Sequence, residues 1–244
     1  MTIHEDPDIY RYIVLASFAL LFAFPASKVI TDKALRRRSH IVQAITLVGA
    51  IVGAKIALLM GDRGWPVVPL ESWRDVVYSG RSITGGLIGG LLTAELAKPL
   101  LRYPLPPNDH FAAKLPFSIA LGRVGCLLGG CCRGLPHEGL FSIRYDDGID
   151  RWPAPAIEIV FQLAAGALFI GLVRRGLLKG RVFSLYLVLY GVFRFGTEFL
   201  RATPKPFGVV SVYQVLSLVM IALGVGFLLA RSRVSSPILQ PSST

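Results

Sequence analysis

The sequence predicts an all-α integral membrane protein of seven transmembrane helices, with the N-terminus outside, the C-terminus cytoplasmic and a short outer hairpin between helices 4 and 5. Three observations carry that prediction. Of the 244 residues, 53% are hydrophobic and only 17% are charged, and the mean hydropathy of +0.57 lies far above that of a soluble domain. Apolar runs of the roughly 17–25 residues needed to cross a hydrocarbon core of about 30 Å recur along the chain. Lysine and arginine gather in alternate connections between those runs.

The first run, 12–30, follows MTIHEDPD, which is acidic and lacks the basic start of a cleavable signal peptide, so Ile13 to Ile30 is read as a retained span. The second, 41–60, carries Gly49 and Gly53 four residues apart. In the third, 82–97, ITGGLIGGLL holds the overlapping pairs Gly85/Gly89 and Gly86/Gly90, and the fourth, 112–130, holds Gly125/Gly129. Small residues at this spacing let membrane helices approach closely, which is the plainer account of Gly49 and Gly53. Glycine, Lys114 and Arg123 dilute the third and fourth runs. The remaining runs are 155–173, 182–200 and 209–230. The longest polar connections, 61–81 and 131–153, are too short for a separate soluble domain, so residues 1–244 form one polytopic membrane domain. Within the second connection, FSIRYDDGIDRW alternates apolar and polar residues around Asp-Asp-Gly, a hairpin pattern.

Orientation follows from the positive charges. With the N-terminus outside, the inner connections hold Lys33, Arg36, Arg37, Arg38, Lys98, Arg102, Arg174, Arg175, Lys179, Arg181, Arg231 and Arg233. The outer segments hold nine basic residues, spread over longer loops that carry most of the acids. The net charge of +11 then reflects topology and contact with anionic lipid, with no nucleic-acid partner, since no nucleic-acid-binding module is visible.

Ionisable groups inside apolar runs are costly and therefore mark function by default. In LYLVLYGVFRFGTEFLR, Tyr190, Arg194 and Glu198 fall at i, i+4 and i+8, on one helical face. Mutual neutralisation of Arg194 and Glu198, or snorkelling of Glu198 with Arg201 to the outer surface, is the structural alternative. Arg123 lies in the fourth span and Glu158 at the start of the fifth. In the predicted orientation these groups, and the glycines at 85–90, share one depth near the outer leaflet. Two arginines there suit a phosphate, because guanidinium offers paired donors and keeps its charge. A phospholipid supplies that phosphate, with Arg123 and Arg194 as clamp and Gly85, Gly86 and Gly125 leaving room for the headgroup.

Four blocks in order, TGGLIGG at 84–90, GRVGCLLGGCCRG at 122–134, PAPAIE at 153–158 and YGVFRFGTEFLR at 190–201, followed by SVYQVLSL at 211–218, make the chain resemble the bacterial prolipoprotein diacylglyceryl transferases. The resemblance spans about 41–229 and is most specific at 190–201. It implies a seven-span enzyme of the bacterial inner membrane, moving the diacylglyceryl group of phosphatidylglycerol to a lipobox cysteine thiol and releasing glycerol phosphate. Two departures stand out. Thr84 replaces a histidine of the family, and Cys126, Gly129 and Cys131 stand where the family has two asparagines and a glutamate, while Gly122, Arg123, Gly125 and Gly134 match.

Such a transfer needs the departing phosphate neutralised and the nucleophile positioned and deprotonated. Arg123 and Arg194 serve the first need; Tyr190, Glu158 and Glu198 are the candidates for the second. The histidines, His4, His40, His110 and His137, are terminal, cytoplasmic or in a loop. Cys126, Cys131 and Cys132, all the cysteines of the chain, admit four readings: a reactive thiol activated by Arg123 and Arg133, with Cys126 the catalytic candidate; a disulfide from Cys126 to one of the others; a soft-metal site; or small apolar fillers. Three thiols without a histidine make a poor zinc signature, so no metal and no cofactor are expected. The acceptor is a protein or small molecule bearing a nucleophile. The alternatives are a relative with another acceptor, or a non-catalytic carrier of a thiophilic metal or anion.

Overall fold

The computed structural model describes residues 6–23, 32–62, 82–103 and 109–232. They form seven α-helices: α1 (Pro7–Ala23), α2 (Lys33–Asp62), α3 (Ile83–Leu100), α4 (Asp109–Leu128), α5 (Ala154–Arg174), α6 (Val182–Thr197) and α7 (Val212–Ser232). A two-stranded hairpin, β1 (Ile143–Arg144) with β2 (Asp150–Arg151), lies between α4 and α5. Five helices, α2, α4, α5, α6 and α7, are long and apolar enough to cross a membrane. Of the other two, α1 has 17 residues, and α3 is diluted by four glycines, Glu95 and Lys98. The chain is an all-helical integral membrane protein.

The first expected span begins earlier than its hydropathy implies, at Pro7, where Asp6 accepts hydrogen bonds from the Asp8 and Ile9 amides and so caps α1. Its predicted end, 24–30, lies outside the described residues, as do 63–81 and the residues beyond 232.

Two glycine seams set the helix pairs. A Cβ on Gly53 would stand 2.5 Å from the Gly85 carbonyl oxygen, one on Gly85 2.4 Å from that of Gly53, and one on Gly89 2.3 Å from that of Gly49. No side chain fits there, so α2 and α3 touch backbone to backbone. Gly85 and Gly86, expected to leave room for a headgroup, thus have α2 as their near neighbour. Gly125 and Gly129 likewise face α1, at Ile13 and Tyr10.

The core runs through α3 to α7, with Leu87, Leu91, Ile119, Phe169, Tyr186, Leu187, Tyr190 and Met220 buried together. Exposed Val48, Ile51 and Val52 of α2, Val160 and Leu163 of α5, and Leu218 and Val219 of α7 point outward, as lipid-facing side chains do. Asp109, at the start of α4, accepts hydrogen bonds from the Gly180 amide (2.5 Å) and the Phe183 amide (3.3 Å). This contact fixes α4 and α6 side by side with their starts together. The end of α4, the start of α5 and the end of α6 therefore share one end of the bundle.

The hairpin sits at that same end. Its register is Ile143 with Arg151 and Arg144 with Asp150, and the turn closes through a 2.9 Å bond from the Gly148 amide to the Tyr145 carbonyl, with Gly148 at φ +75°. Arg144 pairs with Asp150 at 2.6 Å, and Asp147 accepts from both Arg133 and Arg151 at 2.9 Å. The strap after α4 ties the parts together. The Leu135 amide donates to the Leu200 carbonyl at 2.9 Å, and the Trp152 amide to the Leu135 carbonyl at 3.0 Å. Gly134 is held so close that a Cβ would lie 2.3 Å from the Trp152 carbonyl oxygen.

Candidate active site

Four helix ends bring the charged groups of the sequence together. Arg123 comes from the last turns of α4 and Glu158 from the second turn of α5, and they form an ion pair at 2.9 Å with both side chains buried. The other Glu158 oxygen accepts the Tyr190 hydroxyl at 2.6 Å. Tyr190 is fully buried, stacked between the rings of Tyr186 and Phe193. Isolated charges of this kind are expensive to bury, so each must be met by an opposite charge and by hydrogen bonds.

A second group lies at the end of α6. Arg194 pairs with Glu198 at 2.8 Å, and its guanidinium lies over the Tyr213 ring of α7, 5.6 Å from the centroid. The second Glu198 oxygen accepts the hydroxyls of Thr203 (2.5 Å) and Ser211 (3.2 Å). Glu198 starts a single turn of 3-10 helix, Glu198–Leu200, beyond α6, so the ladder read from the sequence keeps its spacing across a change of helix type. Its members divide between the groups, Tyr190 with Glu158 and Arg194 with Glu198.

Arg201 departs from one of the two structural alternatives. It does not snorkel to the surface but is 6% exposed. Its Nε lies 3.7 Å from Glu198, and its buried Nη1 has no hydrogen-bond partner among the described residues. The described residues thus place three buried guanidiniums, Arg123, Arg194 and Arg201, against two buried carboxylates, Glu158 and Glu198. Among these five side chains the guanidiniums exceed the carboxylates by one.

The cysteines adjoin the first group. Arg123 Nη1 donates to Cys126 Sγ at 3.7 Å and to Cys132 Sγ at 3.4 Å. All three thiols are free, Cys126 buried and the other two half-buried. Thr84 is buried in the first turn of α3, where Ser82 caps the helix by accepting from the Gly85 amide.

Several polar groups escaped the sequence reading. One turn deeper than Glu158 and Tyr190, Gln162 accepts the Tyr186 hydroxyl at 3.0 Å, and both are fully buried. The signal was the i, i+4 step from Glu158 to Gln162 and from Tyr186 to Tyr190, which repeats a polar pair on the same two faces. Gln214 folds back at the start of α7 to accept the Ser211 amide at 2.8 Å, which sets the Ser211 hydroxyl toward Glu198. Nothing local in the sequence marks Arg201 as buried.

A model of the family described as prolipoprotein diacylglyceryl transferase matches residues 1–230. The chain belongs to that family. It is therefore a transferase of lipoprotein biosynthesis. Among curated relatives, the phosphatidylglycerol–prolipoprotein diacylglyceryl transferase of Clostridium tetani is 27% identical over 231 residues, covering 89% of this chain and 91% of the relative. The enzyme of the same name from Dehalococcoides mccartyi is 34% identical over 212 residues, covering 82% of each. A third, from Clostridium perfringens, is 28% identical over 192 residues, 74% of each chain. The matched residues run from α1 into α7 and include the Cys-bearing end of α4.

Proposed function

We propose that the chain transfers the diacylglyceryl group of phosphatidylglycerol to the thiol of a prelipoprotein lipobox cysteine, at the outer leaflet of a bacterial inner membrane, and that α1 and α3 complete seven spans with the N-terminus outside. One observation carries this reading: the buried site holds three guanidiniums against two carboxylates, with Arg201 Nη1 unpartnered among the described residues. A phosphodiester carries a single negative charge and accepts paired guanidinium donors, so it restores neutrality and fills the open donor. The names of the relatives supply the matching lipid and acceptor.

In the transfer, the acceptor sulfur attacks the diacylglycerol carbon that bears the phosphate oxygen. A C–S bond forms as that C–O bond breaks, and the electron pair leaves with glycerol phosphate. Arg123, Arg194 and Arg201 oppose the growing charge on the phosphate, the task that preorganised donors perform best in a water-poor site. Glu158 and Glu198 hold the arginines in place beforehand. When the phosphate takes over Arg123, a Glu158 oxygen is released to accept the thiol proton, with Tyr190 fixing the carboxylate from its other side. Gly125 packs on α1 and lets α4 bring Arg123 to this position. Cys126 takes no part in the bond changes, because a diacylglyceryl thioether on it would be a stable product and a poor leaving group.

The test incubates the purified protein with labelled phosphatidylglycerol and a lipobox peptide. Thioether-linked diacylglyceryl peptide and free glycerol phosphate are the expected products, and Arg194→Ala should abolish them while the protein still inserts. Lipid consumption without labelled peptide would point to another acceptor; unchanged turnover in Arg194→Ala would overturn the phosphate clamp.

A further inference from the structure

The end of α4 is built in a way that the transferase chemistry does not use. Gly130 adopts φ +62°, its amide donates to the Leu127 carbonyl, and the Cys131 amide donates to the Cys126 carbonyl at 3.1 Å. These are the two bonds of a Schellman C-cap, with Gly130 at the left-handed position. That motif places the side chain five residues before the cap's outer residue against it, so Cys126 and Cys131 meet because of their spacing. Cys132 follows at φ +60°, a left-handed conformation that a non-glycine residue rarely adopts, and this turns its side chain back to the same point. Arg133 fastens the turn by donating from Nε to the Gly130 carbonyl at 2.7 Å. All three Sγ atoms lie within 4.8 Å of one another.

We propose that Cys126, Cys131 and Cys132 form a trigonal trithiolate site for a soft d10 cation of the copper(I) class. A metal–thiolate bond of about 2.3 Å spaces three trigonal sulfurs about 4.0 Å apart, so closing the site moves each sulfur by less than about 1 Å. Among the described residues no histidine or carboxylate joins the three thiols. Without a fourth ligand the set does not suit structural zinc, whereas soft sulfur in threefold array suits copper(I). Arg123 Nη1, which donates to two of the sulfurs, supplies the positive charge and hydrogen bonds that a metal–thiolate group needs around it. Binding releases the three thiol protons to solvent and leaves the oxidation state of the metal unchanged. Cys131 and Cys132 are half-buried residues, and the metal enters from their side of the site.

The test titrates the reduced, full-length protein in detergent with copper(I) under anaerobic conditions, in competition with a chromogenic copper(I) chelator. One copper(I) per chain is expected. Cys126→Ser, Cys131→Ser and Cys132→Ser should each weaken binding more than about 100-fold, the upper end of what loss of a supporting contact alone costs. A second measurement needs no variant: bound copper(I) should protect all three thiols of the unaltered protein from alkylation. Three outcomes would overturn the site: no copper bound, equal binding by the triple serine variant, or a disulfide among these cysteines in protein taken from its native membrane.

Discussion

Replacing Glu158 by glutamine removes one charge at nearly constant shape. The glutamine carbonyl still accepts the Tyr190 hydroxyl, but Arg123, 2.9 Å away and buried, loses its counter-ion. Stripping one partner from a buried ion pair costs about 3–5 kcal/mol, because the other charge stays behind uncompensated. At about 2–4 °C per kcal/mol for a chain of this size, Tm in a neutral detergent should fall by roughly 6–20 °C. The reading of Arg123 as a phosphate ligand adds a second expectation. Phosphatidylglycerol restores an anion beside Arg123, so it should raise the Tm of Glu158→Gln more than that of the unaltered protein, and a zwitterionic phospholipid should do so less. Thermal unfolding followed by intrinsic fluorescence, with each lipid in turn, measures both. A fall of less than about 2 °C, the smallest shift expected for 1 kcal/mol, would refute the buried pair. Equal stabilisation of both proteins by phosphatidylglycerol would refute the clamp.

Tyr190→Phe deletes the 2.6 Å bond to Glu158 inside a ring stack it otherwise preserves; thermal unfolding should show a loss of about 1–3 kcal/mol, and turnover should drop as Glu158 loses its orientation. Gly89→Leu forces a side chain against the Gly49 carbonyl, 2.3 Å from the ideal Cβ position; the α2–α3 seam should open, seen as weaker crosslinking between cysteines introduced at exposed positions along α2 and α3. Gly134→Ala clashes with the Trp152 backbone, and should expose the strap to proteolysis while the helices stay resistant. In the hairpin between α4 and α5, the Ile149 amide and then Arg151 hold Asp147 below the usual aspartate range, and Arg144 does the same for Asp150. A depressed carboxylate stabilises the fold above its unfolded value and loses that contribution as pH falls through its folded value. The hairpin should therefore stay protease-resistant down to about pH 4 and open only below it; opening near neutral pH would contradict these pairs.

Much of the fold was open to reading because a bilayer imposes simple rules on a chain. Run length and the four-residue spacing of Gly49/Gly53 and Gly85/Gly89 each follow from one segment at a time. What crosses between segments did not. The i, i+4, i+8 spacing put Tyr190 on the same face as Arg194, yet its hydroxyl is bonded to Glu158 on α5, because the ion pair from α4 brings that carboxylate to it. Gly85 carried both a packing and a headgroup reading, and only the structure sets the Gly53 carbonyl against it.

The amino-acid sequence by itself determined that this is a helical membrane transferase of a known family, since hydropathy and the 190–201 block act locally. The Arg194–Glu198 pair was open to reading from its i, i+4 spacing, but tertiary structure alone decided that Arg123 pairs with Glu158 and that Arg201 is buried. Arg201 stands at a helix end where a long side chain can reach water. Only the folded chain, with Gly134 bridged to Arg201 and Glu198 3.7 Å from its Nε, buries that guanidinium. The cysteine cluster lies between these cases: its Schellman spacing is written in CLLGGC, but the left-handed turn at Cys132 that gathers the third sulfur is a property of the folded backbone.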